Sequence, residues 1–174
     1  MIRSKSLLAL AITTVTGLAQ ADLLTFDPTN NCDASGSRVN CVSANAFHPD
    51  YGDTALIDVS TLDGLAGSPL GMRYYSSLPG DLQGTYVGLT HVATAGGRGA
   101  TAVLRLEPRQ VGSSVTLNSL DVSRLDFQPF YSTGINVIDL LNGNVVFSFT
   151  NPTLSALTTL TPNVASTRGL EIQF

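Results

Sequence analysis

The chain has 174 residues, nine of them basic and thirteen acidic, with two cysteines and no tryptophan. A formal net charge of −4, with arginines scattered singly among acids, argues against a nucleic-acid or anionic-lipid partner, since both need clustered positive charge. The lack of any charge block or low-complexity tract leaves a globular chain as the starting premise.

Two cations, Arg3 and Lys5, precede an apolar run over 7–18 and then Ala19-Gln20-Ala21. That order predicts a secretory signal peptide, residues 1–21, cleaved after Ala21 so that Asp22 becomes the new N-terminus. The apolar run is far shorter than the roughly 20 residues that cross a hydrocarbon core, so no membrane span is expected in the mature chain. Residues 22–174 then form a single domain, long enough to bury about 68–70% of its unfolded surface. Losing Arg3 and Lys5 leaves arginine as the sole basic residue type and makes the mature chain more acidic than the precursor. Export directs it to the periplasm, the cell envelope or the extracellular space.

Cys32 and Cys41 flank a stretch of turn-forming residues, Asp33-Ala34-Ser35-Gly36-Ser37-Arg38-Val39-Asn40, with no hydrophobic periodicity. In an oxidising compartment this spacing predicts a disulfide that staples a surface loop. A zinc pair is the rival reading, disfavoured because neither His48 nor His91 stands at a zinc-motif spacing.

Past Asp22 no stretch of ten or more residues shows helical periodicity. Short β-branched or aromatic runs bounded by Gly, Pro, Asn or Asp recur instead, which predicts an all-β, antiparallel β-sandwich of jelly-roll-like form. The candidate strands in chain order are 23–26, 55–59, 72–75, 86–93, 102–106, 114–122, 135–140, 145–150, 157–160 and 170–174. Over 102–107, Ala102, Leu104 and Leu106 alternate with Arg105 and Glu107, the pattern of a half-buried strand. Over 114–122 the apolar phase slips from Val115 and Leu117 to Leu120 and Val122, which predicts a β-bulge near Asn118 and Ser119. Asn142-Gly143 between two apolar runs predicts a hairpin with a type I′ turn, positive φ falling at both residues. Gly96-Gly97-Arg98-Gly99 leads into a strand, not a helix, and is expected to be a flexible turn and not a phosphate cradle. The last run stops at Phe174 without a turn or polar tail, so it is either a core strand or the break of a fragment; a truncated sheet would leave a hazardous edge.

Four segments carry a family resemblance: Ala21-Asp22-Leu23-Leu24-Thr25-Phe26-Asp27, Tyr51-Gly52-Asp53-Thr54, Val115-Thr116-Leu117-Asn118-Ser119-Leu120-Asp121 and Arg168-Gly169-Leu170-Glu171-Ile172-Gln173-Phe174. In their order along the chain they resemble exported Gram-negative β-sandwich proteins of the PEP-CTERM-associated, galactose-binding-like type. The resemblance implies a β-sandwich and a place at the cell surface. The family's Val-Pro-Glu-Pro sorting tail is not present.

Chemistry is sparse. His91 falls in a strand pattern and His48 in a loop before Pro49; there is no Gly-x-Ser-x-Gly elbow, and both cysteines are expected to be oxidised, so no catalytic residue is singled out. Glu107 and Glu171, the two glutamates, are expected to be solvated on polar strand faces. Asp27, Asn30, Asp50 and Asp53 fall in loops and could offer hard oxygen ligands to a structural calcium ion, although the spacing fits no EF-hand. Tyr51, Tyr74, Tyr75 and Tyr131 are the candidate platforms for a sugar ring, with Tyr74 and Tyr75 on opposite faces if their stretch is a strand. The leading expectation is a non-enzymatic structural or interaction module of the envelope or extracellular matrix, with polysaccharide or envelope components as partners. A carbohydrate-binding module is the runner-up.

Overall fold

The computed structural model describes residues 23–24, 28–34, 37–42, 45–62, 73–76, 91–94, 101–122, 133–151 and 157–174. The expected signal peptide, Asp27, Tyr131 and the Gly96-to-Gly99 turn lie outside them. The described chain is all-β, with antiparallel sheets in the arrangement of a β-sandwich and no helix. Its strands are β1 (Cys32–Ala34), β2 (Ser37–Val39), β3 (Ile57–Leu62), β4 (Arg73–Ser76), β5 (His91–Thr94), β6 (Val103–Pro108), β7 (Val115–Leu117), β8 (Leu120–Val122), β9 (Thr133–Asp139), β10 (Asn144–Asn151), β11 (Thr158–Leu160), β12 (Val164–Ser166) and β13 (Leu170–Gln173).

One layer is a five-stranded sheet in the order β10-β9-β13-β6-β3. Side chains alternate across a strand, so register decides which residues meet. Pairing of Leu170 with both Leu106 and Asp139, and of Ile172 with Leu104 and Val137, sets Val59, Leu104, Val137, Leu170 and Ile172 on one face. These side chains join Val115, Val122 and Leu160 from the short strands opposite, and Cys32, Cys41, Phe47 and Tyr51 from the disulfide region, in one core. The alternation expected for 102–107 is present in the pairing, which puts Leu104 and Leu106 on the core face and Arg105 and Glu107 on the other, but not in burial: Val103 on the outer face is as buried as Leu104, and Leu106 is only half-buried, as are Arg105 and Glu107. β13 is paired on both sides, so the last run is a central strand of this sheet and not an edge.

The opposing layer is built from two-stranded pieces. β8 pairs with β11 and β7 with β12, so 115–122 and 158–166 form one interrupted ladder. The interruption lies at Asn118 and Ser119, where the phase slip was expected, and Val115 and Val122 are both buried as that slip requires. The extra residue, however, belongs to the facing chain: 161–163 stand against 118–119, and Asn163 takes a φ of 50°. Asn reaches the left-handed region at lower cost than most side chains.

The expected hairpin joins β9 to β10, but its turn differs. Asp139 pairs with Asn144, leaving 140–143 as the connection, and of Asn142 and Gly143 only Gly143 has a positive φ, 74°. The cause is Asp139. Its carbonyl accepts the N–H groups of Asn142 (3.3 Å) and Gly143 (2.8 Å), and its carboxylate accepts Leu141 N–H (2.9 Å) and Asn142 Nδ2 (3.1 Å). This winds the loop into a helical turn that a two-residue I′ connection has no room to make. Beyond it, a register shift between Val145 and Phe147 places a bulge in β10, a feature no sequence signal marked.

β1 and β2 form a small hairpin inside the cysteine loop, and Cys32 also bridges to Phe47. Cys32 and Cys41 are joined in a disulfide. The expected surface staple is thus a core element: Cys32 is fully buried, and the Phe47 and Tyr51 rings stack beside it at 4.9 Å between centroids. Among the described residues no helix is long and apolar enough to cross a membrane.

Candidate functional site

Strand alternation puts every second residue of β6 on the outer face of the five-stranded sheet: Arg105, then Glu107, with Arg109 continuing the row just past the strand end. The turn between β12 and β13 brings Arg168 beside this row, and Leu140 arrives from the β9–β10 hairpin. Together with Val111 these side chains line a solvent-open groove of about 640 Å³. The turn that delivers Arg168 is tied down from below. Ser166 Oγ donates to Asp139 Oδ1 (2.5 Å) and accepts the N–H groups of Arg168 (3.1 Å) and Gly169 (3.2 Å). These bonds favour the ionised form of Asp139. The Ser166 hydroxyl, followed by Leu141 N–H, holds its carboxyl below the usual carboxylate value despite opposing desolvation.

Each of two groove arginines is clamped by acids. Arg105 Nε donates to Glu171 Oε2 (2.7 Å), and Gln173 Nε2 donates to the other Glu171 oxygen (2.7 Å). Glu171, expected to be solvated, is therefore a buried carboxylate, 8% exposed, fixed by a cation on one side and an amide on the other. Burial of an acid on an outer sheet face is tolerable because both oxygens are bonded. Arg109 Nη2 donates to Asp53 Oδ2 and to Asp58 Oδ1 (2.9 Å), while Asp53 Oδ1 accepts Val59 N–H (2.7 Å). Among the described residues the Arg168 side chain makes no such bond.

The residues singled out from sequence do not gather here. Tyr51 is buried, 5% exposed, in contact with Phe47, so its ring packs the core. Tyr74 and Tyr75 are consecutive on β4 and pair in register with Ala93 and Val92 of β5, in a two-stranded sheet apart from the residues named above. Asp53 holds Arg109, a cation already in place. Asn30 N–H donates to Asn40 Oδ1 (3.0 Å), and Asp50 is exposed beside His48. His48 Nδ1 accepts Asp50 N–H (3.2 Å) and lies 3.8 Å from the Asp50 carboxylate. Among the described residues no three His, Cys, Asp or Glu side chains come together as a metal group.

The arginines read as scattered in the sequence are partly gathered by the fold: Arg105, Arg109 and Arg168 converge. A signal existed for two of them, because Arg105-Leu106-Glu107-Pro108-Arg109 places three charges on one strand face. Nothing local could announce Arg168, which reaches them through pairing across the sheet. No family model, curated protein or solved structure matches the chain.

Proposed function

We propose that the chain is an exported, non-enzymatic β-sandwich that serves as a structural or interaction module in the cell envelope or extracellular matrix, related to the PEP-CTERM-associated proteins it resembles. The observation that carries this reading is the Cys32–Cys41 disulfide at the heart of the core. A bond of this kind persists in an oxidising compartment and is rare in the cytosol. The order of Arg3, Lys5, the apolar run and Ala21 agrees with it. The acids of the described site act as clamps on arginines, which is a role in architecture.

The full-length chain, expressed in a Gram-negative host, is expected to appear outside the cytoplasm with Asp22 as its first residue. Retention in the cytoplasm with residues 1–21 intact would overturn the export reading. Turnover of generic ester or glycoside substrates, lost on His48→Ala, would overturn the non-enzymatic one. The second reading, a carbohydrate-binding module, is favoured by the groove, whose guanidinium donors face solvent beside apolar surface.

A further inference from the structure

We propose that Asn142 is a site of self-modification, its side-chain amide open to attack by the backbone nitrogen of Gly143, and that Asp139 holds the reaction off while the β9–β10 turn stays closed.

The chain holds one Asn-Gly dipeptide, and the turn presents it to water: Asn142 and Gly143 are both exposed, and nothing lies within 4 Å of where a Gly143 Cβ would stand. The chemistry needs no partner but water. The Gly143 nitrogen gives its proton to solvent base and attacks Asn142 Cγ; as the new N–Cγ bond forms, the Cγ–Nδ2 bond breaks and ammonia leaves with a proton from water. Water then opens the resulting cyclic imide at either carbonyl, giving an aspartate or an isoaspartate at 142. Glycine suits the attack because no Cβ crowds the closing ring.

Each group that this reaction must move is held in the folded chain. Gly143 N–H donates to the Asp139 carbonyl (2.8 Å), so its proton is not offered to solvent unless the turn opens. The Asn142 amide is anchored at both ends: Nδ2 donates to Asp139 Oδ2 (3.1 Å), and Oδ1 accepts Asn144 N–H (2.8 Å). Turning Cγ toward the Gly143 nitrogen breaks these bonds. They share one base, since Asp139 and Asn144 are the pair that closes the hairpin ladder. Asp139 is fixed in turn by Ser166 Oγ at the end of β12.

The product cannot restore the turn. Conversion replaces the Nδ2 donor with a carboxylate oxygen, so two like charges face each other where an amide met an acid. An isoaspartate also adds a methylene to the backbone, inside a connection that runs only from 140 to 143. The step that consumes Asn142 therefore works against the Asp139 contacts and keeps the turn from closing again.

The test is peptide mapping by mass spectrometry of the processed, disulfide-bonded protein during incubation in mildly alkaline buffer, where solvent base drives the attack. The folded chain should keep Asn142 far longer than the same chain in urea. Equal rates would show that the turn holds nothing off and overturn the proposal, and a lack of aspartate or isoaspartate at 142 even in urea would overturn the site itself. Asp139→Ala frees the amide and should convert about tenfold faster, the scale of one hydrogen bond to a charged acceptor. Ser166→Ala removes the neighbouring bond but leaves those of the turn, so its melting temperature should fall while Asn142 converts at the unaltered rate. Equal acceleration in both variants would reduce the effect to general loosening and overturn the role of Asp139. If Asp139→Ala does not fold, the comparison of folded and urea-unfolded chains decides alone.

Discussion

The two layers of the sandwich hold together by different means. In the five-stranded sheet, strands of four to eight residues share ladders interrupted by the one bulge described in β10, and Leu170 and Val137 at its centre are fully buried. Opposite it, β1, β2, β7, β8, β11 and β12 are three residues each and pair only in twos. Two-stranded pieces of that length are not stable alone. They are retained by staples: the Cys32–Cys41 disulfide and the Ser166–Asp139 bond, which ties the end of β12 to the end of β9. One layer thus depends on packing across many strands, the other on a few individual bonds.

That contrast can be broken at its strongest point first. Leu170→Ala opens a void at the middle of the central strand and should cost about 3–4 kcal/mol, read as a lower urea midpoint. Next, Gly169 precedes that strand with φ of 115°, and a Cβ there would lie 2.6 Å from the Leu106 carbonyl oxygen. Gly169→Ala should cost about 3 kcal/mol, combining backbone strain with a steric clash. Gly143→Ala, at a φ of 74° with open space around it, should cost only about 1 kcal/mol. Equal effects at the two glycines would show that crowding against β6 contributes nothing.

Reduction of the disulfide, or the double change Cys32→Ala with Cys41→Ala, should lower stability by about 2.5–3 kcal/mol. Hydrogen exchange should then rise in β1 and β2 while β6, β9 and β13 stay protected; uniform exchange would erase the distinction between the layers. The smallest effect is the pH dependence of Asp139. Its folded pKa lies below the ordinary 3.8, so its contribution is present above that value and is lost as pH falls through the lowered one. Melting temperature should decline with acid below about pH 5. Asp139→Asn should flatten that slope, and an unchanged slope would remove the Ser166 staple from the account.

The long strands were legible because five or more residues give room for an apolar run bounded by turn formers, as in Ala102 to Glu107 ahead of Pro108. The β1–β2 hairpin and β12 were not: Ser37-Arg38-Val39 and Val164-Ala165-Ser166 hold too few large apolar side chains to mark a strand. The position of the phase slip at Asn118 was readable from one strand, yet which strand carries the extra residue depends on a partner some forty residues later in the chain. Asn142-Gly143 announced a hairpin correctly, while the shape of its turn was decided by Asp139, just outside the dipeptide. The groove was the least legible part. Glu171 and Arg105 are 66 positions apart, and Arg109 is 51 and 56 from its acids, so only the closed sheet brings these charges to one face.

The order of strands within the large sheet has a bearing on when the molecule can assemble. Its middle member, β13, comes after β3, β6, β9 and β10 in the chain. Until Leu170 to Gln173 is free to pair, the β3–β6 and β9–β10 pairs share no ladder. Closure of the large sheet therefore waits on a strand made later than the other four, and the two pairs formed before it are joined only when it inserts between them.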